Sequence, residues 1–126
     1  MDTEVLGFKV AAEFIYDEIF TKKGRDVVHI DVKGYSPITD DFVICTVDSM
    51  QQLKSLTSSI ERRLLKEMGI KTTNTTSSFS ETGWIVLDYF DFMVHLFLEQ
   101  DREYYALERL WNMCEIKEIE EPKPSL

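Results

Sequence analysis

The chain has 126 residues, enough for one domain with a sizeable core, and its 44% hydrophobic content with few glycines and prolines is that of an ordinary globular protein. Its net charge of −9 repels phosphate backbones, which argues against direct nucleic-acid binding through a broad basic face. No apolar run reaches membrane-spanning length, and the acidic start lacks the basic and apolar regions of a signal peptide and the arginines of a transit peptide, so the default compartment is the cytoplasm, with no membrane contact.

Leu6, Val10 and Phe14, widened by Ile15 and Ile19, predict a first helix over 3–23, with Thr3 as its cap and Gly24 as a left-handed stop. DVVHIDVK at 26–33 reads as a strand, with Val28, Ile30 and Val32 on one face and Val27, His29 and Asp31 on the other. DDFVICTV at 40–47 is a second strand. The link between them is too short for a helical crossover, so the pair should be an antiparallel hairpin. Residues 49–68 form the clearest helix: Ser49 caps it, Gln52 completes a capping box, Leu53, Leu56, Ile60 and Leu64 hold the apolar stripe, and Gly69 closes it. A strand at 70–73 would complete a parallel crossover with 40–47. The polar stretch 74–82 reads as a loop or weak edge strand.

WIVLDYFDFMVHLF at 84–97 is the most apolar run of the chain. Its single break, Asp88-Tyr89-Phe90-Asp91, predicts two antiparallel strands joined by a tight turn. The second of these is apolar on both faces except at His95, so it should be central and covered on two sides. Residues 99–114 read as helical, with Tyr104, Leu107, Leu110, Trp111 and Cys114 on one face and a break near Tyr104 and Tyr105. The order α-β-β-α-β-β-β-α implies an α/β (α+β) fold, a mixed, about five-stranded sheet flanked by helices. One domain is expected over 1–114, followed by an acidic, disordered tail over 115–126, where Pro122 and Pro124 cannot continue a helix.

Asp31, Asp40, Asp41, Asp88 and Asp91 all fall at strand ends, and with His95 such a group could hold Mg²⁺. In a chain with 23 acidic residues, however, aspartates at strand ends more often cap turns. Walker and GxGxxG loops are missing, and nothing resembles a nucleophile elbow. Cys45 and Cys114 lack CxxC spacing and read as reduced core thiols. His95 in an apolar strand reads as a buried structural residue. These patterns favour a binding module over an enzyme, with no catalytic residue, metal site or cofactor.

Taken together, DVVHID at 26–31, ITDDFVI at 38–44, Ser49 opening the long helix, WIVLDY at 84–89, DFMVHLF at 91–97 and YALERLW at 105–111 resemble the ribosomal silencing factor family (RsfS, also called Iojap-like). The motifs occur in family order over roughly 6–111. The resemblance implies a nucleotidyltransferase-like fold without known catalysis, and this chain lacks the Gly-Ser turn and Asp-x-Asp pair of such transferases. It also implies a role in ribosome biogenesis and translation control. Members bind large-subunit ribosomal protein fourteen on the large ribosomal subunit, block joining of the small subunit, repress translation, and often form homodimers when free.

By the same resemblance, partner binding is assigned to Trp84, Asp88, Tyr89 and Asp91, and Phe90 between them is counted with the same site. The acidic charge suits a basic partner, and aromatics suit the centre of such a patch. Phe90 stands where the family usually has glycine. A phenylalanine disfavours positive φ, so a different turn is expected, along with an added exposed apolar contact. Val47 and Gln51 replace a family glycine and a basic residue near the start of the long helix. Two other readings stay open: a metal-dependent nucleotidyl or phosphoryl transferase using Asp31, Asp88, Asp91 and His95, and an acidic adaptor for another basic protein.

Overall fold

A computed structural model describes residues 3–75 and 82–122, with side chains over 7–73 and 82–122. The elements in order are α1 (Thr3–Thr21), β1 (Arg25–Asp31), β2 (Asp41–Val47), α2 (Met50–Met68), β3 (Asn74–Thr75), β4 (Trp84–Asp88), β5 (Phe92–Leu98), α3 (Glu99–Tyr105), α4 (Leu107–Leu110) and β6 (Ile116–Ile119). The strands form one mixed sheet in the order β3-β4-β5-β2-β1-β6. β2 and β5 run parallel, from Asp41 opposite Phe92 to Val47 opposite Leu98, and the other neighbours are antiparallel.

The two-residue period of the strands divides the core into two layers. Val27, Val43, Cys45, Val47, Ile85, Leu87, Val94 and Leu96 point to one face, where Ala11, Ile15 and Ile19 of α1 and Leu53, Leu56, Ile60 and Leu64 of α2 cover them. Val28, Ile30, Val32, Phe42, Ile44 and Phe97 point the other way, under Leu107, Trp111 and Cys114. β5 is central and buried on both faces, as its apolar run predicts.

Helix ends follow local chemistry. Ser49 Oγ accepts the Gln52 amide at 3.1 Å, and Gln52 Oε1 accepts the Asp48 amide at 2.8 Å. Gln52 Nε2 also donates to the Lys22 carbonyl at 2.7 Å, tying the start of α2 to the end of α1. Gly69 closes α2 with φ 68°. At the end of α1, Lys23 takes the left-handed position, at φ 64°, rather than Gly24. The amides of Lys23 and Gly24 bond the carbonyls of Phe20 and Ile19 in a Schellman pattern. Gly24 serves a steric need instead, because a Cβ there would run into the Ile19 side chain. The Thr3 cap and the Leu6 side chain lie outside the described side chains, as do the side chains of β3 and all of 76–81.

Several expectations are corrected. The strand expected at 70–73 forms instead at Asn74–Thr75, where it pairs with β4 and not with β2. The strand parallel and adjacent to β2 is β5, because the apolar hairpin has the stronger claim on the sheet centre. The break expected near Tyr104 and Tyr105 is present, at Ala106, φ 46°. The break turns Tyr104 and Leu110 out to solvent, at 76% and 66% exposure, so the five residues expected on one face are split.

The acidic tail expected to be disordered from 115 contributes β6, which pairs antiparallel with β1 from Ile116 opposite Ile30 to Ile119 opposite Val27. Its alternation IKEI suits an edge strand, and the otherwise open edge of β1 supplies the backbone partners.

Candidate docking site

The β4–β5 hairpin carries all five residues that the sequence singles out. Strand alternation puts Trp84 and Asp88 on the α3–α4 face and Ile85 and Leu87 on the α1–α2 face. Trp84 is half-buried. Its Nε1–H donates to His95 Nδ1 at 3.1 Å, its ring stacks on Phe97 at 5.1 Å, and Tyr105 lies against it at 4.5 Å. Trp84 therefore holds α3 to the sheet. It also lies four strand residues, about 13 Å, from Asp88.

His95 accepts that bond on Nδ1, so its remaining proton sits on Nε2, an atom buried with no hydrogen-bond partner among the described residues. Burial lowers its pKa to about 3, keeping the imidazole neutral. The edge-on contact with Phe42, at 4.8 Å between ring centres, completes a structural aromatic box.

The turn itself is tightly built. Phe90 N–H donates to Asp88 Oδ1 at 2.9 Å, Tyr89 N–H to the Phe92 carbonyl at 2.9 Å, and Asp91 N–H to the Tyr89 carbonyl at 3.0 Å. The last bond spans two residues around Phe90 at φ 77°, the pattern of a γ-turn of the strained hand. The expectation that phenylalanine would abandon the glycine-like backbone is thus overturned. The bonds on either side fix the turn, and the side chain yields by pointing outward, 72% exposed.

Tyr89 points inward, 7% exposed, stacked on Phe92 at 5.0 Å. Burial, with the charge of Glu61 second, raises its pKa, and its hydroxyl has no hydrogen-bond partner among the described residues. Of the five residues, Phe90 faces solvent, Asp88 and Asp91 are half-exposed beside it, Trp84 lies farther along the sheet, and Tyr89 anchors the turn from within.

The β1–β2 loop lies beside this turn, since Asp40 N–H donates to the Asp91 carbonyl at 2.9 Å. It exposes Tyr35 and Ile38, apolar residues among turn-formers. That pattern was visible in the sequence, but its proximity to Phe90 was not.

The residues of the transferase reading are not brought into one site. Asp31 ends β1 beside Met113, Cys114 and Glu115, and β2 stands between β1 and the β4–β5 hairpin that carries Asp88, Asp91 and His95. No group of three or more His, Cys, Asp or Glu able to hold a metal occurs among the described residues. His29 Nε2 meets Asp41 Oδ1 at 2.7 Å beneath the stacked Phe8 ring, an isolated pair between β1 and β2. A cleft of about 590 Å³ lies elsewhere, between β1, β2 and α3–α4. Its Arg102 is already engaged by the Asp26 carbonyl, Thr46 Oγ1 and Glu108. No described helix is long and apolar enough to cross a membrane.

The family described as "ribosomal silencing factor during starvation", RsfS, matches residues 9–125. The chain is 36% identical over 104 residues to the ribosomal silencing factor RsfS of Haemophilus influenzae, covering 79% of this chain and 95% of that protein. It is 30% identical to the RsfS of Bacillus subtilis, covering 79% and 82%. It is also 30% identical to the chloroplastic protein Iojap of Zea mays, covering 87% of this chain and 46% of that one.

Among solved structures, a Chromobacterium violaceum protein superposes with a TM-score of 0.75 at 26% identity, covering 93% of this chain and 89% of that one. One from Bacillus halodurans gives 0.70 at 28%, covering 82% and 94%. The names of the two bacterial relatives speak of ribosomal silencing. With its motifs in order, its sheet and helices superposed and nearly its whole length matched, this chain belongs to the RsfS family of ribosomal silencing factors.

Proposed function

We propose that this chain is a cytoplasmic translation repressor. It binds the large ribosomal subunit through large-subunit ribosomal protein fourteen and blocks joining of the small subunit by occupying the bridge surface, without chemistry. Family membership carries this reading. The exposed β4–β5 turn supports it, offering Phe90 between Asp88 and Asp91 to a basic partner. Trp84 flanks the surface, and Tyr89 holds the turn from inside. Homodimers of the free protein and a metal- and cofactor-free action belong to the same proposal.

The test is co-sedimentation of the purified protein with isolated large and small subunits, then with both under joining conditions. Binding to the large subunit alone, with loss of the joined peak, is the expected result. Binding to neither subunit would overturn the reading.

A further inference from the structure

Two loops leave the same end of the sheet. One joins β1 to β2 and the other joins β4 to β5. They are neighbours because β2 and β5 are adjacent, parallel and start in register, Asp41 opposite Phe92. The Asp40 amide bond to the Asp91 carbonyl fastens one loop to the other. On these two loops Ile38 and Phe90 are 66% and 72% exposed, two residues before Asp40 and one before Asp91.

Exposed apolar side chains on a slack loop would mean little. These loops are braced. Ser36 Oγ accepts the amides of Ile38 at 3.2 Å and Thr39 at 3.3 Å. The Tyr35 and Ser36 amides both bond the Val32 carbonyl, and the Val32 amide bonds the Asp40 carbonyl. Phe90 is held at φ 77° by the turn bonds given above, a conformation a bulky side chain rarely adopts. Backbone strain of this kind persists where the surroundings over-determine it and gathers at binding sites. A pre-organised apolar surface gives up little freedom on docking.

We infer that this two-loop tip is a composite docking surface, with Ile38 and Phe90 as joint anchors, for a basic protein surface that has an aliphatic recess. The inference rests on the ribosomal reading and deepens it by adding the β1–β2 loop to the site. The charge around the anchors selects the occupant. Asp31, Asp40, Asp88 and Asp91 lie on these loops or at the strand ends beside them, against the single cation Lys33. That rim repels nucleic acid and disfavours a second copy of the same tip, while it attracts a cationic protein.

The experiment titrates full-length protein against isolated large subunits by sedimentation. The variants are Ile38→Asp/Phe90→Asp, the uncharged Ile38→Ser/Phe90→Gly, and a control, Tyr104→Asp/Leu110→Asp, on the other exposed apolar patch. Circular dichroism and thermal melts establish that each is folded. Both tip variants should bind about tenfold more weakly or worse, with the control close to wild type. Wild-type affinity in either folded tip variant overturns the inference and leaves the ribosomal reading standing. A tip variant that loses only self-association overturns it as well, assigning the tip to a dimer. A wild-type protein that fails to bind overturns the reading and the inference together.

Discussion

At the scale of single residues, Phe90 and His95 are opposites. Phe90 holds an exposed ring on a left-handed backbone at φ 77°, where nothing in the core requires a ring. Replacing it with glycine removes the steric conflict at the cost of a looser unfolded chain. Phe90→Gly should therefore leave stability unchanged or raise it by up to about 1 kcal/mol, measured by urea unfolding. A clear loss of stability would mean the ring has a packing role that its exposure does not suggest.

His95 is buried, and burial lowers its pKa from 6.5 to about 3. Between those values the unfolded chain binds a proton that the folded chain refuses. The contribution is complete above about pH 6.5 and is lost as pH falls toward 3. Stability should fall by about 1.4 kcal/mol per pH unit below roughly pH 6 on account of this group. Thermal melts from pH 7 to 5 should show a shallower decline in His95→Gln than in wild type. Parallel curves would remove the imidazole from the account.

At the scale of elements, most of the architecture was legible. Strand alternation, the Ser49 cap with Gln52, and the Gly69 stop act over a few residues, and sequence reports such interactions directly. What stayed hidden depends on distant partners. β6 reads as an acidic tail until β1 offers it an edge, and the break expected near Tyr104 and Tyr105 makes sense at Ala106 only once Arg102 is seen reaching Asp26, Thr46 and Glu108. The strand placed at 70–73 formed two residues beyond Gly69-Ile70-Lys71-Thr72, on a hairpin whose position no local rule gives. Truncation after Glu115 should therefore do more than remove a tail. It uncovers the β1 backbone from Val27 to Ile30, and should lower the melting temperature and promote aggregation, read by light scattering during the melt. An unchanged melt without aggregation would return 116–126 to the status of a dispensable extension.

At the scale of the whole molecule, charge and topology set how a partner is met. With a net charge of −9, association with a basic partner should be steered by the field of the entire chain. Raising salt from about 50 to 500 mM should slow association by about tenfold while changing dissociation much less, measured by stopped-flow mixing with isolated large subunits. Equal slowing of a charge-neutralised variant would exclude steering.

The candidate site was legible only in part. The turn motif named Trp84, Asp88, Tyr89, Phe90 and Asp91 as neighbours in sequence, but strand alternation and the core divide them among two faces and a tip. Ile38 joins that tip through a pairing no linear motif encodes. The parallel match of β2 to β5 also sets a temporal order. Asp41 waits for Phe92, across a helix and two strands, before either loop has its neighbour. Such distant pairings close late in folding. A growing chain thus presents Ile38 before Phe90 exists, and the two loops gain each other as neighbours only after β5 has been made.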